Sequence, residues 1–174
     1  MKIDFAAFRP GGDYALVVPS AGSKRPAVAT LADKDKVEAA LKRQRFDGEA
    51  GSSSELFIDD SGTPRRLLVV GTGKASAPAE AAEKLGGTAA ARLLTSGETN
   101  AVIDLSGAGF DADSAARVAL AATLRSWRYD RYRTKLKEKQ KPTLRAVTIV
   151  GTADGASERW TKRWKPVAEA VDFT

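Results

Sequence analysis

Short apolar runs alternate with amphipathic stretches along most of this chain. Residues 14–19 (YALVVP), 66–71 (RLLVVG) and 144–151 (LRAVTIVG) are compact apolar runs, and 101–105 (AVIDL) is a similar one. Such runs predict buried strands, with 66–71 central because it is apolar on both faces. Residues 2–8 predict a short first strand, and residues 28–31 a strand fragment. Residues 55–59 (ELFID) alternate as a half-buried strand does. The segment 60–64 (DSGTP) between two of these strands is hairpin-sized.

The helical period appears in four places. Val37, Ala40 and Leu41 recur behind Asp33, a candidate N-cap, and predict a helix ending near Phe46. Residues 79–94 predict an Ala-rich helix whose apolar side is Leu85, Ala89, Leu93 and Leu94, and Pro78 suits its first turn. Gly86 and Gly87 lie inside it, each weakening it by about 1 kcal/mol, and mark a point of potential break. Asp111 or Asp113 caps a third helix that runs through Val118, Ala121, Leu124 and Trp127. Ser157 opens a last helix with Trp160, Trp164, Val167 and Val171 on one face, and Pro166 is expected to kink or interrupt it. Strands that alternate with helices, apart from one hairpin, predict an α/β sandwich with a mixed, largely parallel sheet.

A length of 174 residues fits one ordinary domain, and 43% hydrophobic with 29% charged residues is a globular composition. No apolar run reaches the roughly 18 residues of a membrane span, and the N-terminus lacks the apolar core of a secretory signal. With no cysteine there is no disulfide framework, and a cytoplasmic location is expected. The chain also has no histidine. A Ser-His-Asp triad, a cysteine nucleophile and a Cys/His zinc site are therefore excluded. Carboxylate and lysine chemistry remain, or no catalysis.

Charge is local. Residues 125–141 (RSWRYDRYRTKLKEKQK) hold eight basic and two acidic residues, a surplus equal to the net charge of +6 of the whole chain. Trp127, Tyr129 and Tyr132 sit among them. Basic residues interleaved with aromatics suit nucleic acid, and Arg125, Arg128, Arg131, Arg133, Lys135 and Lys137 are the candidate contacts. A solvated loop between a helix and a strand has the same composition, so both readings stand.

Three other features bear on chemistry. Gly71, Gly73 and Lys74 form a candidate anion-binding turn between a strand and a helix. Neither a full Walker A motif nor the dinucleotide GxGxxG motif is completed there, so a purely structural turn is the other reading. Asp59, Asp60, Asp111 and Asp113 lie where aspartate serves turns and helix caps. Asp104, in or at the end of a strand, is the one carboxylate of catalytic interest, without a second at known proximity. The Trp160 and Trp164 stripe suits core packing, or an interface with a further segment.

A succession of motifs then carries a resemblance. Residues 46–51 (FDGEAG) resemble the FxGxxG segment of the leucyl (cytosol) aminopeptidases. Residues 66–74 (RLLVVGTGK) resemble their strand ending in VGLGK. Residues 127–135 (WRYDRYRTK) resemble their YxFxxYKxK stretch, before a strand like 144–150. The resemblance implies an N-terminal domain with a three-layer α/β/α, macro-domain-like fold over residues 1–152. It also implies that 153–174 is a helix leading toward a catalytic domain, which the stop directly after an amphipathic helix matches. In the family that second domain holds two divalent metal ions, zinc or manganese, in motifs similar to NTDAEGR and VGKG(I/V)xFDSGG. Neither motif occurs here, so no catalytic or metal-ligating residue carries over to this sequence, and no cofactor is expected in it. The implied role is support of a homohexamer and of access to the active sites in a peptide-hydrolysing parent, with this chain alone inactive. The alternatives are DNA binding through 125–141 and, by analogy with macro domains, binding of a nucleotide or ADP-ribose.

Overall fold

A computed structural model of the chain describes residues 1–60, 62–73, 78–128 and 137–172. Its strands are β1 (Lys2–Ala6), β2 (Ala15–Ser20), β3 (Ser53–Asp60), β4 (Thr63–Gly71), β5 (Asn100–Asp104) and β6 (Ala146–Val150). They form one sheet in the order β1-β6-β5-β2-β4-β3. Every pairing is parallel except that of β3 with β4, the predicted hairpin, which closes at Asp60 against Thr63.

Helices cover both faces, giving the expected three layers. The strands sort their side chains by alternation. Ala15, Val17, Leu68, Val70, Ala101, Ile103, Val147 and Ile149 turn to one face. There α2 (Pro78–Leu93), α3 (Ala112–Ser126) and the C-terminal helices pack over them. Leu16, Val18, Leu67 and Val69 turn to the other, against α1 (Lys34–Arg43) and a short 3-10 turn at Val28–Thr30. The C-terminal helices α4 (Ala156–Arg159) and α5 (Lys165–Asp172) are joined by a π-helical turn, Trp160–Trp164. Trp160 and Ala168 are buried in the same core as β6 and α3, so the Trp160 end of the stripe is core packing. Val167 is 46% exposed.

Several local expectations are corrected. Where a strand fragment is expected over 28–31, Val28–Thr30 form a 3-10 turn. Pro26 restricts the entry, and the Thr30 hydroxyl donates to the Ala27 carbonyl at 2.8 Å. Asp33 precedes α1 without a side-chain cap, because its carboxylate pairs with Lys36 Nζ at 2.9 Å. The first strand stops at Ala6, and Phe8 is exposed. Helix α3 stops at Ser126. The hydroxyls of Thr123 and Ser126 bond the carbonyls of Ala119 and Thr123, and Trp127 is already extended.

At Pro166 the last α-helix is interrupted, as expected, but not ended. The Lys165 N–H bonds Trp160 O, five residues back, and this wider turn carries the chain past the carbonyl that a proline ring would strike. The glycine pair does not break α2 either. Gly86 is buried where α2 crosses α3, and an added Cβ would lie 2.1 Å from Val118 O. The absent side chain lets the two backbones meet.

Candidate functional site

In a parallel sheet the C-terminal ends of the strands are where sites form, above all where successive connections leave in opposite directions. Here that point lies between β2 and β5. From β2 the chain leads by way of α1 and β3 to β4 on one side. From β5 it leads through α3 to β6 on the other. A cleft of about 150 Å³ opens there, lined by Pro19, Lys24, Pro26, Thr72 and Phe110 among others. Pockets for drug-sized ligands run to about 300–1,000 Å³.

Beside the cleft, three loops that are distant in sequence close into one knot. The Gly71 N–H donates to Ser52 O at 2.8 Å, that of Thr72 to Ser20 O at 2.9 Å, and that of Gly73 to Gly48 O at 2.9 Å. In return Gly51 N–H donates to Gly71 O at 2.9 Å. Gly71 is so tightly enclosed that an added Cβ would lie 2.0 Å from Glu49 O and 2.4 Å from Ser52 Oγ. The FxGxxG-like segment and the VGLGK-like turn are thus two halves of one piece of architecture. Gly71 and Gly73 of the candidate anion-binding turn have committed their amides to backbone carbonyls, and Lys74 lies outside the described residues. With that geometry, the amides of Gly71 and Gly73 are not available to a nucleotide phosphate, and the cleft is small for a nucleotide or ADP-ribose.

Phe46, which opens the first motif, completes the end of α1. Its N–H reaches Leu41 O at 3.0 Å and that of Arg45 reaches Lys42 O at 3.1 Å, while the Phe46 ring packs on the core. This is a Schellman ending with its hydrophobic contact.

The carboxylates that drew attention are held individually. Asp104 is buried at the end of β5, where it accepts from Arg9 Nε and from Ser106 N–H at 2.9 Å. Arg9 also reaches Thr30 Oγ1 at 3.0 Å, pinning the segment after β1 across the sheet. Asp60 pairs with Arg65 at 2.7 Å, and the Arg65 guanidinium lies 3.6 Å from the Tyr14 ring centroid. Asp59 accepts from the Gly62 N–H in the hairpin. Asp111 caps α3 by accepting from Ser114 N–H at 2.7 Å, and that bond holds its carboxyl below the usual range.

Asp113 docks the C-terminal helices. It accepts from Arg117 Nε at 3.0 Å and from Trp164 Nε1 at 3.2 Å. Burial pushes its carboxyl up. The bonds from Arg117 and Trp164, with the charges of Arg117 and Arg163, outweigh burial and leave it below the usual range. Trp164 lies between two guanidinium groups, Arg117 at 4.5 Å and Arg163 at 4.7 Å from its ring centroid. Among the described residues no group of three or more acidic side chains comes together to hold a metal ion.

The basic stretch is described only in part. Arg125 is exposed in the last turn of α3, and Arg128 donates to Gln140 O at 2.8 Å. That bond ties the end of α3 to a 3-10 turn at Glu138–Gln140, beside the exposed Lys137. Arg131, Arg133 and Lys135 lie outside the described residues.

Sequence reasoning missed the arginines that organise the structure. Arg9, Arg25, Arg65 and Arg66 each bind a carboxylate from a distant or opposing segment. Arg65 stands between the hairpin turn and the apolar run 66–71, and its local sequence does not distinguish it from a solvated residue, although it is buried.

Comparison with known proteins follows the same lines. Residues 17–136 match the family model of the cytosol aminopeptidase family, N-terminal domain. A probable cytosol aminopeptidase of Afipia carboxidovorans is 38% identical over 127 residues, covering 72% of this chain and 25% of that protein. One of Rhizobium rhizogenes is 33% identical over 179 residues, covering 98% of this chain and 36% of that protein. The chain thus spans about a quarter to a third of the length of these relatives. A solved structure of a lysine-to-glutamate mutant of tomato leucine aminopeptidase superimposes with a TM-score of 0.77. It is 23% identical, and the match covers 98% of this chain and 36% of that one. The bottromycin maturation enzyme BotP in complex with Mn gives a TM-score of 0.67 at 21% identity, covering 91% of this chain and 30% of that one. With the family's N-terminal model matched over most of its length and the same fold throughout, the chain belongs to the cytosol aminopeptidase family, as its N-terminal domain.

Proposed function

We propose that this chain is the non-catalytic domain of a cytoplasmic metallo-aminopeptidase that removes N-terminal residues from peptides. Two divalent ions, zinc or manganese, would sit in a separate catalytic domain and supply an activated water. Residues 1–152 make up the body of the present domain, and 153–174 lead toward the catalytic one, with Trp160 and Ala168 packed on the body. Its role is to support a homohexamer and to shape access to the active sites. One observation carries this reading. Two of the motifs shared with the family close a glycine knot, and Asp59, Asp60, Asp104, Asp111 and Asp113 are each held by arginines, backbone amides or a helix end. Such a donor set does not fit a dinuclear metal site, so no step of the reaction runs through this chain.

A chimera tests the supporting role. This chain replaces the N-terminal third of the Rhizobium rhizogenes relative, which it matches end to end at 33% identity. The chimera is expected to form a hexamer and to cleave leucyl substrates with added Mn²⁺. The relative's remaining part alone is expected to be at least about tenfold less active, the loss that misplaced access and assembly groups bring. A catalytic part that assembles and works equally well alone would refute the role.

A further inference from the structure

Strand β1 forms one edge of the sheet, and residues 1–5 line a groove of about 520 Å³. Trp160, Thr161, Lys165, Ala168 and Glu169 form much of the rest of its lining. Alternation along β1 sorts its groups. The Lys2 N–H donates to Arg145 O at 2.8 Å, so Lys2 and Asp4 turn their backbone groups toward β6. Ile3 and Phe5 turn theirs outward. Among the described residues no hydrogen bond reaches those outward amides. The side chains sort by face. Ile3 and Phe5 pack on the core beneath the helices, while Lys2 and Asp4 share the other face and pair with each other at 2.9 Å.

An edge with outward N–H and C=O groups is a template for a further strand. We propose that it receives β1 of a second copy of this chain, antiparallel about a two-fold axis through Ile3. The charge pattern selects this occupant. Hydrogen-bonded pairs across the new edge must come from Ile3 and Phe5. With Ile3 opposite Ile3, Lys2 of each copy faces Asp4 of the other. With Ile3 opposite Phe5, Asp4 would face Asp4, and like charges directly opposite destabilise. With Phe5 opposite Phe5, Asp4 would face Ala6, and no charge would meet an opposite charge across the new edge. Only the Ile3 register makes the strand complementary to itself, as a two-fold interface requires. The Ile3 side chain of the second copy then lies on the same face as Trp160 and Ala168, in the groove. The pairing does not depend on a catalytic domain.

Sedimentation of the 174-residue chain at low ionic strength, over a series of concentrations, tests this. The mass is expected to rise with concentration from the 18.4 kDa of one chain toward twice that value. Asp4→Lys places lysine against lysine at a half-buried edge position and is expected to weaken association about tenfold. Circular dichroism checks that the variant keeps its fold. Lys2→Asp combined with Asp4→Lys reverses both charges, rebuilds the complementarity and is expected to restore the dimer. A monomer at every concentration overturns the proposal. So does a dimer that Asp4→Lys leaves intact, or one that the double reversal fails to recover.

Discussion

Gly71→Ala is expected to cost about 3 kcal/mol or more of stability, at the upper end of what overpacking does. The added methyl would lie 2.0 Å from Glu49 O, 2.4 Å from Ser52 Oγ and 2.7 Å from Gly48 C. The Ser52 hydroxyl is tied to Glu49 O at 2.6 Å, and the other two contacts are backbone. That backbone is held by the bonds between Gly71, Ser52, Gly51, Gly73 and Gly48. Relief would require separating the loop after β4 from the loop after α1 and breaking several of those bonds together. Urea unfolding followed by far-UV circular dichroism reads the loss. A variant within about 1 kcal/mol of the parent chain would show that the knot gives way easily, against its tight closure.

The second large effect sets local propensity against packing. Alanine is favoured over glycine inside a helix by about 1 kcal/mol, so propensity alone makes both Gly86→Ala and Gly87→Ala stabilising. The structure separates them. At Gly87 an added Cβ meets nothing within 4 Å, and the gain should appear as a rise in Tm of about 2–4 °C. At Gly86 the Cβ would lie 2.1 Å from Val118 O and 3.1 Å from Ala122 N on α3. Moving α3 costs more than the propensity gained, and a net loss of about 2 kcal/mol is expected. Thermal melts of the two variants side by side check this. Opposite signs support the close α2–α3 crossing, and two stabilised variants would refute it.

These two glycines show how much of the fold was legible beforehand. The strands and helices followed from apolar runs and helical spacing, and the mixed, largely parallel sheet followed from their alternation. What could not be read was contact between distant segments. Gly86 looks like a weak point in a helix until α3 is placed against it. Asp104 draws catalytic interest until Arg9, from the segment after β1, is seen to bind it. Gly71 and Gly73 look like a phosphate turn because such turns share their local sequence. Only the tertiary fold shows Ser52, Ser20 and Gly48 accepting the amides that an anion would need. Pro166 marked an interruption of the last helix, but its form was not legible, since a π-helical turn is not encoded in the 3.6-residue period. Two of the motifs that carried the resemblance to the aminopeptidases mark this glycine knot and the end of α1, which are architecture.

The most direct test is a peptidase assay on the purified 174-residue chain, with a leucyl chromogenic substrate and added Mn²⁺ or Zn²⁺. No product is expected above the blank that contains metal and substrate alone. Metal-dependent turnover that follows the chain through every purification step would contradict the proposed non-catalytic role.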